Sequence, residues 1–225
     1  MGWLPVVSAS HGANPGTNPV RQTKDGGHSA MMAYSRPFSD IAKVGYGAVM
    51  NEDSRKLPFE TRRLSASDAI GYRDLRLDGL RAHPEAFGAS WEEEATQPLA
   101  WFADRLERNV LFGGGSAGTS ELMGVVGFYV PSSAKQRHKG VLWGMFVQPE
   151  ARGTGLGPSL VARVLEHAMQ IVEEVRLTVV ATNTAAVRLY ERAGFEQYGL
   201  ERRALKIGND YHDEALMALS PLRPG

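Results

Sequence analysis

The chain has 225 residues, a length that suits one domain or one domain with an extension. Basic and acidic residues number 25 each, so the formal net charge is zero and we expect no general nucleic-acid binding, which needs a basic surface. The chain has no cysteine, which excludes disulfides, thiolate metal sites and cysteine nucleophiles and suits a cytoplasmic protein. No apolar run approaches the ~18–20 residues that span a bilayer, so no membrane partner is expected.

The first residues differ in composition from the rest. Residues 1–56 are rich in Gly, Pro, Asn and Ser and contain few large apolar side chains, which predicts a mostly disordered extension. A short strand or helix over 41–50 stays open, and a translational start at Met50 is a hypothesis that N-terminal sequencing would test. The start of the chain has no basic segment, and Pro5 breaks its apolar run, so a secretory signal is not expected. The ordered domain is predicted over 57–221.

The regular pattern begins with a strand and two helices. Residues 59–65 alternate and predict a strand. Residues 65–84 open with a capping serine and an acidic first turn, and Pro84 ends the helix that they predict. A second amphipathic helix is predicted over 97–109, with Pro98 in its first turn. The apolar face of the first helix is predicted from Ile70, Leu75, Leu77 and Leu80.

The second half predicts further strands with two helices between them. Residues 110–130 predict a hairpin whose turn includes Gly113 to Gly115. The remaining predictions are a strand over 139–149, a helix over 156–168, a strand over 175–181, a helix over 184–194, and strands over 195–207 and 214–220. The order β-α-α-β-β-β-α-β-α-β-β indicates one mixed sheet covered by helices, in the α/β class. The strands on either side of the helix over 156–168 should be parallel and joined by a right-handed crossover.

The sequence RGTGLG, residues 152–157, has the features of an anion site. Its glycines leave the backbone open to a ligand, and the helix that follows contributes unpaired N–H groups and a partial positive charge. Arg152 adds a full charge. A P-loop and a dinucleotide-binding fingerprint both fit poorly, since the first needs Gly-Lys-Ser/Thr and the second G-x-G-x-x-G. From this loop alone, an anion site and a bare tight turn both remain open.

Two sequence blocks together resemble the GNAT superfamily of acyl-CoA-dependent N-acyltransferases. The first, Q/R-x-x-G-x-G/A, falls on residues 152–157, and the second, N-x-x-A-x-x-L-Y-x-x-x-G-F, falls on NTAAVRLYERAGF at 183–195. The similarity covers about 60–219. It implies a single GNAT-like domain with a central mixed, mostly antiparallel sheet, splayed parallel middle strands, and helices on both faces.

The resemblance also implies acetyl-CoA as the acyl donor, with no metal. The strand ending at Val147 would pair its backbone with the pantetheine arm, and a bulge would form near Trp143 and Gly144. Asn183 would cap its helix, touch the pantetheine arm, or do both. The residues that would bind the donor are Met145, Phe146, Val147, Arg152, Gly153, Thr154, Gly155, Leu156, Gly157, Pro158, Ser159, Asn183, Ala186 and Tyr190.

The chemistry needs an oxyanion donor, a general acid and a proton acceptor. A backbone N–H on the strand over 145–147 is the expected oxyanion donor, and Tyr190 matches the family's general acid, although a core tyrosine would suit its position too. Lys139 occupies the position at which some relatives carry a glutamate that acts as the general base. The proton acceptor is therefore open: a water chain ranks first and Glu93 second, and the other candidates are Glu92, Glu94, His83 and His138.

The expected function is N-acetyl transfer from acetyl-CoA to a primary amine of a small molecule, by direct attack in a ternary complex. A protein or peptide acceptor, through a terminal amine or a lysine, is the first alternative. A non-catalytic acyl-CoA-binding module is the second, and the presence of both Tyr190 and Asn183 disfavours it. A homodimer is compatible with the sequence. The six histidines show no metal-ligand spacing, so no metal is expected.

Overall fold

The computed structural model describes residues 59–220, and a seven-stranded sheet runs through them. The strands are β1 (Phe59–Arg63), β2 (Val110–Ser116), β3 (Gly124–Tyr129), β4 (Lys139–Val147), β5 (Glu174–Val180), β6 (Glu196–Ile207) and β7 (Asp210–Leu219). The helices are α1 (Ala69–Ala82), α2 (Trp91–Ala95), α3 (Leu99–Arg108), α4 (Leu156–Ala168) and α5 (Thr184–Arg192). Within this range no helix combines the length and apolar character needed to cross a membrane. The expectations for residues 1–56, including 41–50 and Met50, lie outside the described residues.

The sheet is mixed and has the order β1-β2-β3-β4-β5-β7-β6. All neighbouring strands are antiparallel except β4 and β5, which are parallel as predicted. Consecutive strand residues point to opposite faces, and they join two separate apolar clusters. Leu111 packs with α1 and α3, whereas Phe112 packs with α4 and α5. The predicted mixed sheet with helices on both faces is thus confirmed, and the short helix α2 is an addition to the predicted order.

The buried face of α1 differs from the predicted one. Ile70 was expected in the core but is 63% exposed, and the core face instead includes Tyr72 and Arg76. The pattern of apolar residues does not predict this face. An arginine is rarely buried without a partner, and the pattern does not show which residue that partner is. The partner of Arg76 is Glu94, 18 residues further along the chain.

The glycine triplet at 113–115 lies within β2, so its predicted place in a hairpin turn is wrong. A Cβ on Gly114 would lie 2.7 Å from the Leu156 side chain, and one on Gly115 would lie 1.8 Å from the Glu121 carbonyl oxygen. These positions therefore need glycine because neighbouring groups approach the strand closely. Glycine content alone does not distinguish such an approach from a turn.

A bulge interrupts β4 at the place that the resemblance implied. Between the pairs Val125–Phe146 and Gly127–Trp143, β4 has one residue more than β3. Gly144 lies in this bulge and has a φ of 61°. The extra residue resets the alternation of the strand, so Trp143 and Phe146 both face the α1 side although they are three positions apart.

The parallel strands β4 and β5 separate towards their carboxyl ends. Their pairing begins at Lys139 with Glu174 and ends at Val141 with Arg176, although β4 continues to Val147. The expected splay of the middle strands is therefore confirmed. The gap that it opens is where the candidate site lies.

Candidate active site

A cavity of about 90 Å³ occupies the gap between β4 and β5. Its wall includes Met145, Leu189 and Tyr190, which pack with the cluster on the α4 and α5 side. It also includes Phe87 and Trp143, which pack with the cluster on the α1 side. The cavity is therefore lined from both faces of the sheet, which are connected through the gap.

The loop before α4 has the geometry of an anion cradle. Gly153 and Gly155 have φ values of 74° and 97°, in the left-handed region that favours glycine. A Cβ on Gly153 would meet nothing within 4 Å, so the backbone there faces open space. Among the described residues, the N–H groups of Gly153, Thr154 and Gly155 donate to no other group, and they lie at the positive end of α4. A phosphate group fits this arrangement.

Other side chains of the loop hold its shape. The Thr154 hydroxyl donates to the carbonyl three residues earlier, and the Ser159 hydroxyl donates to the Gly155 carbonyl at 2.9 Å. Leu156 is fully buried and anchors the start of the helix in the core. Pro158 is exposed in the first turn, where it removes no helical hydrogen bond.

Arg152 joins the loop to β4 and to the end of α1. Its Nε donates to the Val147 carbonyl at 3.1 Å, and its Nη2 lies 3.0 Å from His83 Nε2. A guanidinium can only donate, so Nε2 accepts and the His83 ring carries its hydrogen on Nδ1, 3.5 Å from the Glu85 carboxylate. His83 thus supports the anion loop and does not line the cavity.

Asn183 is the N-cap residue of α5 and lines the cavity together with Ala186. Its Oδ1 accepts a hydrogen bond from the Ala186 N–H at 3.2 Å, so it caps the helix. The cap uses only the side-chain oxygen, and the NH₂ group remains available to a ligand.

Tyr190 lies at the end of α5 in the cavity wall. Its ring packs edge-on against Phe195 at a centroid distance of 5.8 Å, and the residue is 5% exposed. The hydroxyl has no hydrogen-bond partner among the described residues. Burial raises the pKa of the phenol, so the hydroxyl stays protonated at any working pH. The ring of Tyr190 packs in the core, and its hydroxyl is available to donate a proton to a ligand.

Two of the proposed proton acceptors lie away from the cavity. Glu93 is exposed on α2, where its N–H donates to the capping Ser90 hydroxyl, and it does not line the cavity. His138 is exposed just before β4, at the end where β4 and β5 are still paired.

Glu94, part of the acidic run expected to be solvated, is instead 4% exposed. Arg76 donates to it at 3.0 and 3.1 Å, and Arg105 donates at 3.0 Å. Burial by itself would raise the pKa of Glu94, but the hydrogen bonds and charges of the two arginines outweigh it and lower the pKa. Glu94 therefore stays ionised and paired. No sequence pattern marks this cluster, because its members lie on three separate helices.

Glu214 is a second residue that sequence reasoning missed. It lies in β7 opposite Val180 of β5 and Glu201 of β6, and cross-strand partners share a face of the sheet. Val180 and Thr178 line the cavity. Burial, and then the charge of Glu201, raise the pKa of Glu214, although a hydrogen bond from Thr178 opposes the shift. The only signal in the sequence is that Glu214 opens the apolar run of the predicted strand over 214–220.

The N-terminus of a helix that begins beside a gap in a sheet provides a site for a diphosphate, and the gap provides a site for the arm attached to it. An acyl-CoA-dependent N-acyltransferase requires both sites. The sequence profile described as "Acetyltransferase (GNAT) family" matches residues 77–195, more than half of the chain. The chain belongs to this family.

Curated relatives match over part of the chain. Mycothiol acetyltransferase of Kocuria rhizophila is 39% identical over 72 residues, which are 32% of this chain and 24% of that protein. The enzyme of the same name from Geodermatophilus obscurus is 33% identical over 129 residues, which are 57% of this chain and 35% of that protein. The chain thus spans between 24% and 35% of the length of these two relatives.

Solved structures show the same fold. A GNAT-family acetyltransferase from Streptococcus pneumoniae superposes with a TM-score of 0.64 at 22% identity, covering 72% of this chain and 99% of that one. The yncA protein of Salmonella typhimurium, solved with its cofactor acetyl-CoA, gives a TM-score of 0.61 at 19% identity and covers 74% and 95% of the two chains. At these identities the likeness concerns the fold.

The residues present fit acetyl-CoA. The loop over 152–157 offers open N–H groups to the pyrophosphate, and the edge of β4 that faces β5 has no strand partner beyond Val141 within residues 59–220. Met145 and Val147 lie on this free stretch. The Phe146 side chain is buried against Gly79 of α1, so only its backbone can reach the donor.

The two roles of Asn183 can be separated by two substitutions. Asn183→Ala should lower the free energy of unfolding by about 1 kcal/mol because it removes the cap. Asn183→Asp keeps a capping oxygen but loses the NH₂ donor. This variant should therefore retain the stability of the wild type but bind coenzyme A more weakly. Urea unfolding and calorimetry measure the two effects. Full coenzyme A affinity in the aspartate variant would show that Asn183 only caps the helix.

Proposed function

We propose that the chain transfers an acetyl group from acetyl-CoA to the primary amine of a small molecule, by direct attack in a ternary complex. The observation that carries the proposal is the cavity lined from both faces of the sheet, with Tyr190 in its wall. Such a passage lets an acceptor from the α1 side meet a donor held beside α4. The partial matches to mycothiol acetyltransferases support a small acceptor.

The proposed reaction forms a bond between the amine nitrogen and the acyl carbon and breaks the bond from that carbon to sulfur. Acetyl-CoA supplies the activated acyl group. A backbone N–H in the stretch 145–147 stabilises negative charge on the acyl oxygen. Tyr190 donates its proton to the departing sulfur. Burial raises the pKa of this phenol, so the tyrosinate that is left after the transfer takes a proton back from solvent.

Glu214 is the proposed acceptor of the amine proton. It lies on the same face of the sheet as Thr178 and Val180 of the cavity wall, whereas Glu93 is exposed on α2. A carboxyl group with a raised pKa is a stronger base than an ordinary one and lies closer to the pH at which amines are transferred. A water molecule can carry the proton between the amine and Glu214. Water therefore takes the amine proton first, as ranked from the sequence, and Glu214 replaces Glu93 as the residue that receives the proton from this water.

Glu214→Gln should lower kcat/KM on the order of 10-fold to 100-fold, because water alone then has to take the proton. The active form of Glu214 is deprotonated, so wild-type kcat/KM should rise with pH through its raised pKa. The glutamine variant should lose this rise. Initial rates across pH, measured at constant ionic strength, give the comparison.

Glu201→Gln is the matched control. The substitution removes the negative charge of Glu201, which raises the pKa of Glu214. The rise in kcat/KM should therefore move to lower pH and keep its height. An unchanged profile in both variants would remove Glu214 from the mechanism.

We propose that residues 57–221 form the catalytic domain. The match to the family profile and the described sheet both fall inside these bounds. Acetyl transfer by residues 57–221 alone, at the rate of the full chain, is the expected result. A cytoplasmic location is proposed from the cysteine-free composition, and fractionation of cells would test it.

A homodimer is a further proposal. Strand β6 is at the edge of the sheet, and its Tyr198 and Leu200 are 55% and 44% exposed, so a second copy could cover them. Sedimentation equilibrium would decide between one copy and two.

The central experiment is a thiol-release assay with acetyl-CoA against amines, amino acids, polyamines, aminoglycosides and peptides. Transfer to small amines is expected. Transfer confined to peptides would favour the alternative of a protein acceptor. Binding of acetyl-CoA without release of thiol to any acceptor would favour a binding module.

A further inference from the structure

The Arg76 guanidinium is buried but incompletely partnered. Its side chain is 6% exposed, and its Nε and Nη2 donate to Glu94. Its Nη1 is also buried and has no hydrogen-bond partner among the described residues. A buried donor without an acceptor costs free energy, so native proteins rarely leave one unless another group completes it. Nη1 therefore needs an acceptor that a ligand or a water molecule supplies.

The charges around Arg76 do not balance. Arg76 and Arg105 carry two positive charges, and among the described residues Glu94 is the only acid that pairs with either of them. The cluster thus has a net charge of +1. The excess charge lies mainly on Arg105, whose side chain is 20% exposed, and an opposite charge beside Arg76 would neutralise the cluster. The missing partner should be an anion.

The unpartnered nitrogen lies next to a residue of the cavity wall. Nη1 lies 3.7 Å from the position that a Cβ on Gly144 would occupy, and among the described residues other than the chain neighbours of Gly144 no other atom comes within 4 Å of that position. On its other side the guanidinium carbon lies 4.8 Å from the centroid of the Phe87 ring. Gly144 and Phe87 both line the cavity. Nη1 therefore lies directly behind the cavity wall on the α1 side, across the sheet from Tyr190.

Building on the function proposed above, we propose that Arg76 Nη1 binds a carboxylate of the acceptor, and that the acceptor is a small aminocarboxylate such as an α-amino acid. A carboxylate accepts the free N–H groups and supplies the missing negative charge. Glu94 fixes the guanidinium by two hydrogen bonds, so Nη1 is held in place before the acceptor arrives. Because Nη1 lies so close to the cavity wall, the carboxylate has to lie only a few bonds from the reacting amine. Arg76 is thus a residue that determines specificity.

The first test compares each amino acid with its own primary amide as the acceptor for wild-type protein. The amide keeps the size and the amine and removes the negative charge. We expect kcat/KM to favour the amino acids on the order of 10-fold to 100-fold, the range for a hydrogen bond to a charged group. Equal kcat/KM for both forms across the panel would overturn the proposal.

The second test uses Arg76→Lys, which keeps a charge for Glu94 and removes Nη1. KM for the amino acid should rise until the preference over the amide is lost, while kcat/KM for the amide and KM for acetyl-CoA stay unchanged. Arg81→Lys is the matched control, because Arg81 lies on the exposed side of the same helix, over the Trp91 ring. An equal loss with acids and amides in Arg76→Lys would show that Arg76 acts on the donor or on the fold, and would overturn the proposal.

A binding measurement separates this proposal from the proposed function. Thermal unfolding of wild-type protein with coenzyme A should shift upwards with amino acids and not with their amides, and Arg76→Lys should lose the shift. If the shift is seen but no acceptor is acetylated, the carboxylate site stands and the proposed transfer fails. If small amines are acetylated without any preference for a carboxylate, the transfer stands and the carboxylate site fails.

Discussion

Gly155→Asp should abolish measurable binding of coenzyme A. Gly155 has a φ of 97° at the N-terminus of α4, a conformation that costs roughly 1–2 kcal/mol for a residue with a Cβ. The aspartate would also place a negative charge where the loop would receive a diphosphate, so repulsion adds to strain. We expect affinity to fall by a factor on the order of 100 or more, which calorimetry with coenzyme A would measure.

Two controls isolate the cause. Gly155→Asn has the same shape and the same backbone strain without the charge, so its affinity should lie between those of wild type and Gly155→Asp. Acetyl-pantetheine has no pyrophosphate, so wild type and Gly155→Asp should use it at similar rates. Wild-type affinity of Gly155→Asp for coenzyme A would refute the assignment of the loop over 152–157.

Tyr190→Phe should keep coenzyme A binding and lose turnover with every acceptor. The ring packing against Phe195 survives the substitution, and only a hydroxyl without a partner in the described part of the chain is removed. Loss of a general acid typically costs on the order of 10² to 10³ in rate, and we expect kcat to fall in that range while KM for acetyl-CoA stays unchanged.

The leaving group provides the sharper readout for Tyr190. An acetyl thioester of an aromatic thiol releases a stabilised thiolate that needs no proton, so Tyr190→Phe should use it as well as wild type does. Tyr129→Phe is the control, because Tyr129 is also a partly buried tyrosine with a raised pKa but does not line the cavity. Unchanged kcat in Tyr190→Phe would remove this hydroxyl from the mechanism.

The parts of the site that the sequence predicted are local ones. The loop over 152–157 and the cap at Asn183 each depend on a few consecutive residues at the start of a helix. At such a position glycine permits an open backbone, and asparagine caps a free N–H group. The bulge at Gly144 was also expected at the right place, although only the pairing of β3 with β4 establishes it. The family resemblance then gave these local features a common ligand.

The parts that the sequence could not predict depend on contacts between distant segments. From the sequence alone, Arg76 and Glu94 would be assigned to the surface, but in the fold they are buried as a pair. The buried face of α1 therefore includes Arg76, and Ile70 is exposed. Glu214 becomes notable only because β7 inserts between β5 and β6 and brings Glu201 beside it. Charge pairing and burial of this kind leave no periodic trace in a sequence.

The bulge in β4 also constrains how the length of this strand can vary among relatives. Deleting Gly144 would remove the extra residue and leave Trp143 and Phe146 two positions apart, so simple alternation would keep both on the α1 side, where the Phe146 ring lies 3.0 Å from the Cβ position of Gly79. Met145 and Val147 would keep the opposite face. A residue inserted between Gly144 and Phe146 would instead turn Phe146 away from α1, so single-residue insertions should be rarer at this point in the family than deletions.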